Sequence, residues 1–426
     1  MEGLEVFEKI GSGYLYKVTA NGHNIEARVS RVQETGDRLK AEIGILFNGS
    51  PIVRSNPVLT SVSGMDAFWR KLARRLPQSD WGIDWEQLVE NLGARVTDSH
   101  REGEPEIVIS DIVIPETVQW QIEPMLLKDQ PNIIFGPGGS GKSTFALWLA
   151  VLMDSGHVDT SHDLTVLGGK VLYLDWETDS VEIAARVRDL QAGMGLDRKP
   201  GILYRRCTQS LAVESDMLKT IVEQRNISMV IVDSLGLATG GGLDEAESVL
   251  EYFTALRYIG GTSLTITHTN KENLIFGSVY TVNCGRSIWE VTKSGGEGDA
   301  KNLDLGLFHR KVNIVGKQKP RAYSMAFSEN SITLSVKDVI DTELSGRLSV
   351  SELVYQIVLK QGPVKTEELP EMVAEHLNVQ SEKIHNAVKQ AVHRFRKNNK
   401  MAVDGGEIMI AVQPKLIEGE DKWEAF

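Results

Sequence analysis

The chain has 426 residues and only two cysteines, Cys207 and Cys284, which lack the spacing of metal ligands. Neither a disulfide framework nor a structural zinc site is supported, and a single bridge between the two is the lesser alternative. No apolar run approaches the ~18 residues a membrane-spanning helix needs. Residues 1–10 also lack the basic and hydrophobic regions of a signal peptide. An intracellular, cytoplasmic chain with no membrane partner is therefore expected. Basic residues are in deficit, 46 against 58 acidic ones, for a net charge of −12. This balance excludes a protein that coats nucleic acid over its whole surface, so any such contact must come from a local basic patch. Internal repeats and low-complexity tracts are also missing. What remains is an ordinary globular composition, 41% apolar and 24% charged, in a chain too long for one core.

Changes in pattern divide the sequence. Residues 1–95 read as an N-terminal α+β module of unassigned role. Alternating stretches at 14–20, 24–32 and 39–47 suit hairpins, and helical patterns follow at 65–76 and from Trp85 to Leu92. The polar, aperiodic stretch 96–106, with Asp98, Ser99, His100, Arg101, Glu102, Gly103 and Pro105, reads as a linker. Across 110–336, apolar strands at 132–135, 170–175, 201–206, 228–233 and 263–268 alternate with helices at 142–153, 180–192, 215–224 and 244–258. That alternation requires crossovers and a mostly parallel sheet covered on both faces. Strands then dominate, at 287–291, 303–309, 322–327 and 331–336. After a polar segment at 337–346, residues 347–413 hold three helical patterns and two strands around Asp404-Gly405-Gly406, which suggests a winged helix-turn-helix.

The residues that carry chemistry begin at Gly136-Pro137-Gly138-Gly139-Ser140-Gly141-Lys142-Ser143-Thr144, a phosphate-binding loop placed between a buried strand and a helix. Its glycines allow backbone N–H groups to turn toward phosphates, Lys142 reaches the β- and γ-phosphates of ATP, and the Ser143 hydroxyl ligates Mg²⁺. Asp233 ends the apolar strand Met229-Val230-Ile231-Val232 and fits the carboxylate on the magnesium side. Glu177 lies just past the strand Val171-Leu172-Tyr173-Leu174-Asp175, at the edge where open parallel sheets gather their active groups. It suits the base that orients the attacking water, with Asp175 as the competing carboxylate.

These motifs, with the lead-in Val118-Gln119-Trp120-Gln121-Ile122 and the stretch around His268, resemble the RecA-like P-loop ATPases of the AAA family over about 115–327. The nearest resemblance is to the RepA and DnaB-type hexameric helicase branch. It implies an α/β, RecA-like P-loop core, Glu177 as catalytic base and His268 as the sensor of the γ-phosphate. It also implies a homo-oligomer such as a hexameric ring, in which Lys311 or Arg310 reaches a neighbour's ATP, with a simply solvated surface as the alternative. Asn313 stands where a DnaB-type protein presents its arginine finger, which separates this chain from that pattern.

DNA, single-stranded or duplex, is the expected partner. Loops 239–244 and 270–277 occupy the places that face the channel in such rings, yet both are poor in basic residues, and plain mobile loops are the other reading. The last helix is richer: Lys383, Lys389, Arg394, Arg396, Lys397 and Lys400 stand against Glu382 alone. It reads as a phosphate-backbone footprint or, alternatively, as a solvated face of a protein-binding module. The functional expectation is an ATP-hydrolysing, DNA-associated motor of the replicative helicase kind. The alternatives are an ATP-switched DNA-binding replication or regulatory protein and a RadA-like recombinase.

Overall fold

The computed structural model describes residues 4–10, 13–76, 83–103, 106–156, 162–197, 201–272, 274–294, 301–314 and 316–411. Pro105, Asn273 and the end of the last expected strand from Val412 lie outside the described residues.

The N-terminal alternation builds a five-stranded antiparallel meander, β1 (Leu4–Ile10), β2 (Gly13–Ala20), β3 (His23–Thr35), β4 (Arg38–Phe47) and β5 (Ser50–Ser55). Tyr14, Tyr16, Ile25, Ala27, Val29, Ile43 and Ile45 share one face, as a period of two demands, and are buried. Helices α1 (Val62–Ala73) and α2 (Trp85–Glu102) cover that face. Each starts at a side-chain cap, Ser61 accepting from Gly64 N and Asp84 from Gln87 N. The linker expected at 96–106 is corrected here, because α2 continues to Glu102. Val96 sits in the core of the module, and Arg101 forms an ion pair with Glu34 of β3. Contacts with distant residues hold this polar stretch helical, and a local pattern cannot show them.

The central domain first makes a small sheet from β6 (Trp120–Glu123), β7 (Leu126–Leu127) and β9 (Thr165–Val166). Its main sheet contains β8 (Pro131–Gly136), β10 (Lys170–Asp175), β11 (Leu203–Arg206), β12 (Ile227–Asp233), β13 (Thr262–His268), β14 (Ser287–Ser294), β15 (Asn302–Val312), β16 (Arg321–Phe327) and β17 (Ile332–Lys337). The strand order is β11-β10-β12-β13-β8-β14-β15-β16-β17, parallel through β14 and antiparallel beyond it. This is an α/β, RecA-like core. Helices α3 (Lys142–Ser155) and α4 (Ser180–Gly193) pack on one face. On the other lie α5 (Leu211–Arg225), α6 (Leu235–Ala238) and α7 (Ala246–Ile259), while α8 (Val279–Cys284) leads into β14. Cys207 and Cys284 are both free and buried.

Between β14 and β15, His309 stacks on Trp289 at 4.2 Å. Its Nδ1 accepts from Gln318 N at 2.9 Å, so the proton of the neutral ring sits on Nε2, toward Ser287 Oγ at 3.1 Å. Burial, helped by the charge of Lys317, lowers its pKa to about 4. The unfolded chain therefore takes up a proton that the folded chain refuses, and stability falls as pH drops from about 6.5 toward 4. We expect a loss on the order of 2 kcal/mol across that window. Urea unfolding at pH 7 and pH 4.5 should show this share of the pH dependence missing in His309→Gln.

The segment after β17 is docked rather than a free connector. It forms two short 3₁₀ turns, Val339–Asp341 and Glu343–Arg347, and buries Val339, Ile340 and Leu344 against Phe308 and Ala322 of the main sheet. The C-terminal domain follows with α9 (Val350–Gln361), β18 (Val364–Lys365), α10 (Leu369–Leu377), α11 (Ser381–Lys397), β19 (Met401–Asp404) and β20 (Glu407–Ile410). A capping box between Ser349 and Glu352 starts α9. Val388, Ala391 and Val392 turn the apolar stripe of α11 inward, while its basic residues remain exposed.

Candidate active site

The site forms where neighbouring strands end together. Register places Asp175 beside Asp233 and His268 beside Gly136, so β8, β10, β12 and β13 deliver their last residues to one sheet edge. At that edge the sequence changes from buried strand to glycine turn. Gly136 has to be glycine, since a Cβ there would stand 2.1 Å from the carbonyl oxygen of Val291 on β14. Gly141 takes φ +78° immediately before α3 and has Leu303 and Leu305 packed against it. The first turn of α3 therefore opens at the end of the loop, which favours an anion there.

Lys142 is buried, and its ammonium donates to Gly136 O at 2.9 Å, Pro137 O at 2.7 Å and Ser140 Oγ at 3.4 Å. Burial lowers its pKa to about 8, against the pull of Asp233 and Glu177. Asp233 accepts from Tyr173 Oη at 2.5 Å, with the Ser143 hydroxyl, a second donor, close by. Burial raises its pKa, and those two donors oppose the shift. Glu177 is exposed and accepts from Ser234 Oγ, itself buried. His268 has a lowered pKa, first from desolvation and then from the charge of Lys142, so its ring is neutral near pH 7. Lys142, Asp233, Glu177 and His268 are thus near enough to act electrostatically on one another.

Asp175, the competing carboxylate, is fully engaged. It accepts from Glu177 N, Thr178 N, Thr178 Oγ1 and Tyr204 Oη at 2.6 to 3.1 Å and is 1% exposed. Its position fixes the turn that carries Glu177. Ser234 has no strong sequence signal beyond its place after Asp233, and only the fold brings it to Glu177.

Lys311 and Arg310 are not part of this cluster within one chain. The Lys311 ammonium donates to the carbonyls of Val282, Asn283 and Gly285 at 2.6, 3.1 and 2.9 Å, closing the C-terminal end of α8. Arg286, next to that point, donates its N–H to Pro131 O where β8 begins, so Lys311 lies about a strand's length, ~16 Å, from the phosphate loop. Arg310 pairs with Glu290, which also binds Arg347 at 2.8 Å.

The loops after the site residues are joined to each other. Ser278 N donates to Leu243 O at 2.7 Å, and Phe276 N donates to His268 O at 3.0 Å. These bonds tie the His268 carbonyl to Phe276 and the end of the second loop to Leu243 of the first. The loops expose Leu274 and Phe276, with Lys271 as the basic side chain among their described residues.

The oxygen donors of Ser143 and Asp233 suit Mg²⁺, a hard ion that takes one or two protein oxygens and completes its shell with phosphate and water. No cluster of three His, Cys, Asp or Glu residues able to hold a metal occurs among the described residues. Among them, too, no helix is long and apolar enough to cross a membrane.

Residues 101–273 match the family model described as an AAA domain. No curated protein matches the chain. Among solved structures, the crystal structure of a KaiC-like protein from the hyperthermophilic archaeon Pyrococcus horikoshii OT3 is similar over 50% of this chain and 93% of its own length. Identity is 16% and the TM-score 0.36, a likeness too loose to carry an argument. Strand order and the phosphate loop carry the fold assignment.

Proposed function

We propose that this chain, whose central domain is a RecA-like P-loop ATPase domain, hydrolyses ATP and couples the hydrolysis to DNA as a helicase-like motor working in a ring. The observation that carries the catalytic part is the convergence of Lys142, Asp233, Glu177 and His268 at one sheet edge, beside the opening turn of α3.

Lys142 and the amides of the loop hold the β- and γ-phosphates. Ser143 and Asp233 hold Mg²⁺, which supplies charge neutralisation on the phosphate oxygens when bound. Glu177, kept in place by Ser234, orients the attacking water and takes its proton. His268, neutral, gives a hydrogen bond to the γ-phosphate, and its carbonyl bond to Phe276 passes the state of that phosphate to loops 239–244 and 270–277.

Arg310 is the better candidate to reach a neighbour's ATP. When it leaves Glu290, Arg347 still neutralises that buried carboxylate, whereas removal of Lys311 orphans three carbonyls.

The C-terminal domain reads as a winged helix-turn-helix, with α10 and α11 as its helix pair and β19–β20 as the wing. Lys383, Lys389, Arg394, Arg396, Lys397 and Lys400 are all exposed, which supports DNA binding through phosphates. Changing Arg394, Arg396 and Lys397 to Ala should weaken duplex binding and flatten its salt dependence by roughly 0.9 log units per log unit of salt for each phosphate no longer neutralised. Fluorescence anisotropy across a salt series reads both effects. An unchanged slope would move the DNA-binding surface elsewhere. The second reading is an ATP-switched DNA-binding protein without unwinding activity, favoured by the two loops carrying a single basic side chain, Lys271, among their described residues. Strand separation on a forked duplex distinguishes the two.

A further inference from the structure

Tyr173 is among the largest fully buried side chains, and the catalytic scheme above makes no use of it. It points to the α3 side of the sheet, packed with Val171, Met229 and Ile231. Its hydroxyl reaches two residues along the neighbouring strand to Asp233 Oδ2 at 2.5 Å. A tyrosine is costly to bury unless its hydroxyl finds a partner. A phenylalanine would fill the same volume without that demand. The phenol remains the donor, since burial and the nearby carboxylates hold its pKa well above the ordinary value.

We infer that Tyr173 is a positioning residue that fixes how Asp233 presents itself to the metal. This rests on the ATP-site reading above. With Oδ2 already accepting from Tyr173, Asp233 is poorly placed to grip an ion with both oxygens. It is left to receive hydrogen bonds from metal-bound water or to offer one oxygen. That arrangement suits Mg²⁺, which keeps several waters in a strict octahedron, and disfavours Ca²⁺, which readily takes bidentate carboxylates. Partners that orient a ligand in this way typically change metal affinity 10- to 100-fold when removed.

The test uses the full chain and Tyr173→Phe, which removes one oxygen and leaves the apolar packing in place. Binding of a fluorescent ADP analogue is measured first in EDTA, then against rising Mg²⁺ and, separately, Ca²⁺. The expected result is unchanged affinity in EDTA and an Mg²⁺ midpoint raised on the order of tenfold. The Ca²⁺ midpoint is unchanged or lower, so the preference for Mg²⁺ shrinks. In an Asp233→Asn background, adding Tyr173→Phe should shift the Mg²⁺ midpoint no further, because Tyr173 acts only through that carboxylate. An unaltered Mg²⁺ midpoint in Tyr173→Phe overturns the inference, as does a further shift in the Asn background. Loss of affinity already in EDTA would make the role one of general packing and would also overturn it. Wild-type protein that binds no nucleotide at all would instead sink the ATP-site reading on which the inference stands.

Discussion

Glu177→Gln is expected to bind ATP as the wild type does and to lose turnover by about 10²- to 10⁴-fold, the range for removal of a positioned general base. Binding survives because Lys142, the first turn of α3 and Asp233 are untouched, and glutamine can still accept the hydrogen bond from Ser234. What it cannot do is take a proton from water. Equilibrium binding and phosphate release on the same preparation separate the two effects. Normal turnover in this variant would remove Glu177 from the base position. Asp175 would be an awkward replacement, since four hydrogen bonds and near-complete burial already occupy it.

Arg310→Ala is expected to cost on the order of 10³-fold in turnover or more, as for arginine fingers that stabilise phosphoryl transfer from a neighbouring subunit. Lys142→Ala should be equally inactive for a different reason, because the phosphates then lose the ammonium that reaches them and keep only the loop amides. If the site is shared, mixing the two inactive proteins creates interfaces where an intact phosphate loop meets an intact Arg310. About a quarter of the interfaces in a randomly assorted ring would be of that kind. Activity regained on mixing supports the ring. No regain, together with full wild-type activity across a dilution series that reaches monomer, would place the whole reaction inside one chain.

The phosphate loop, Asp233, Glu177 and His268 were legible in the sequence because each sits at the end of an apolar run, and the parallel sheet brings strand ends to one edge. Tyr173 and Ser234 were visible as letters but not as roles. Their partners are 60 and 57 residues away, and only strand register joins them. The same limit applies to Glu290, which gathers Arg310 of β15 and Arg347 of the connector from positions no local pattern relates. The extension of α2 to Glu102 was hidden because its last turn is polar and gains support from Glu34 on another element. Outer strand β1 showed only as an alternation of acidic and apolar residues not assigned to a strand, and β5 is six residues long and contains Pro51.

The most direct test of the central claim is phosphate release from Mg²⁺·ATP by the full chain, wild type beside Lys142→Ala. The expected result is steady turnover in the wild type that vanishes when the lysine is removed. Equal rates in the two proteins, or no release from the wild type under any Mg²⁺ concentration with DNA present or absent, would contradict the assignment of an ATP-hydrolysing site to this sheet edge.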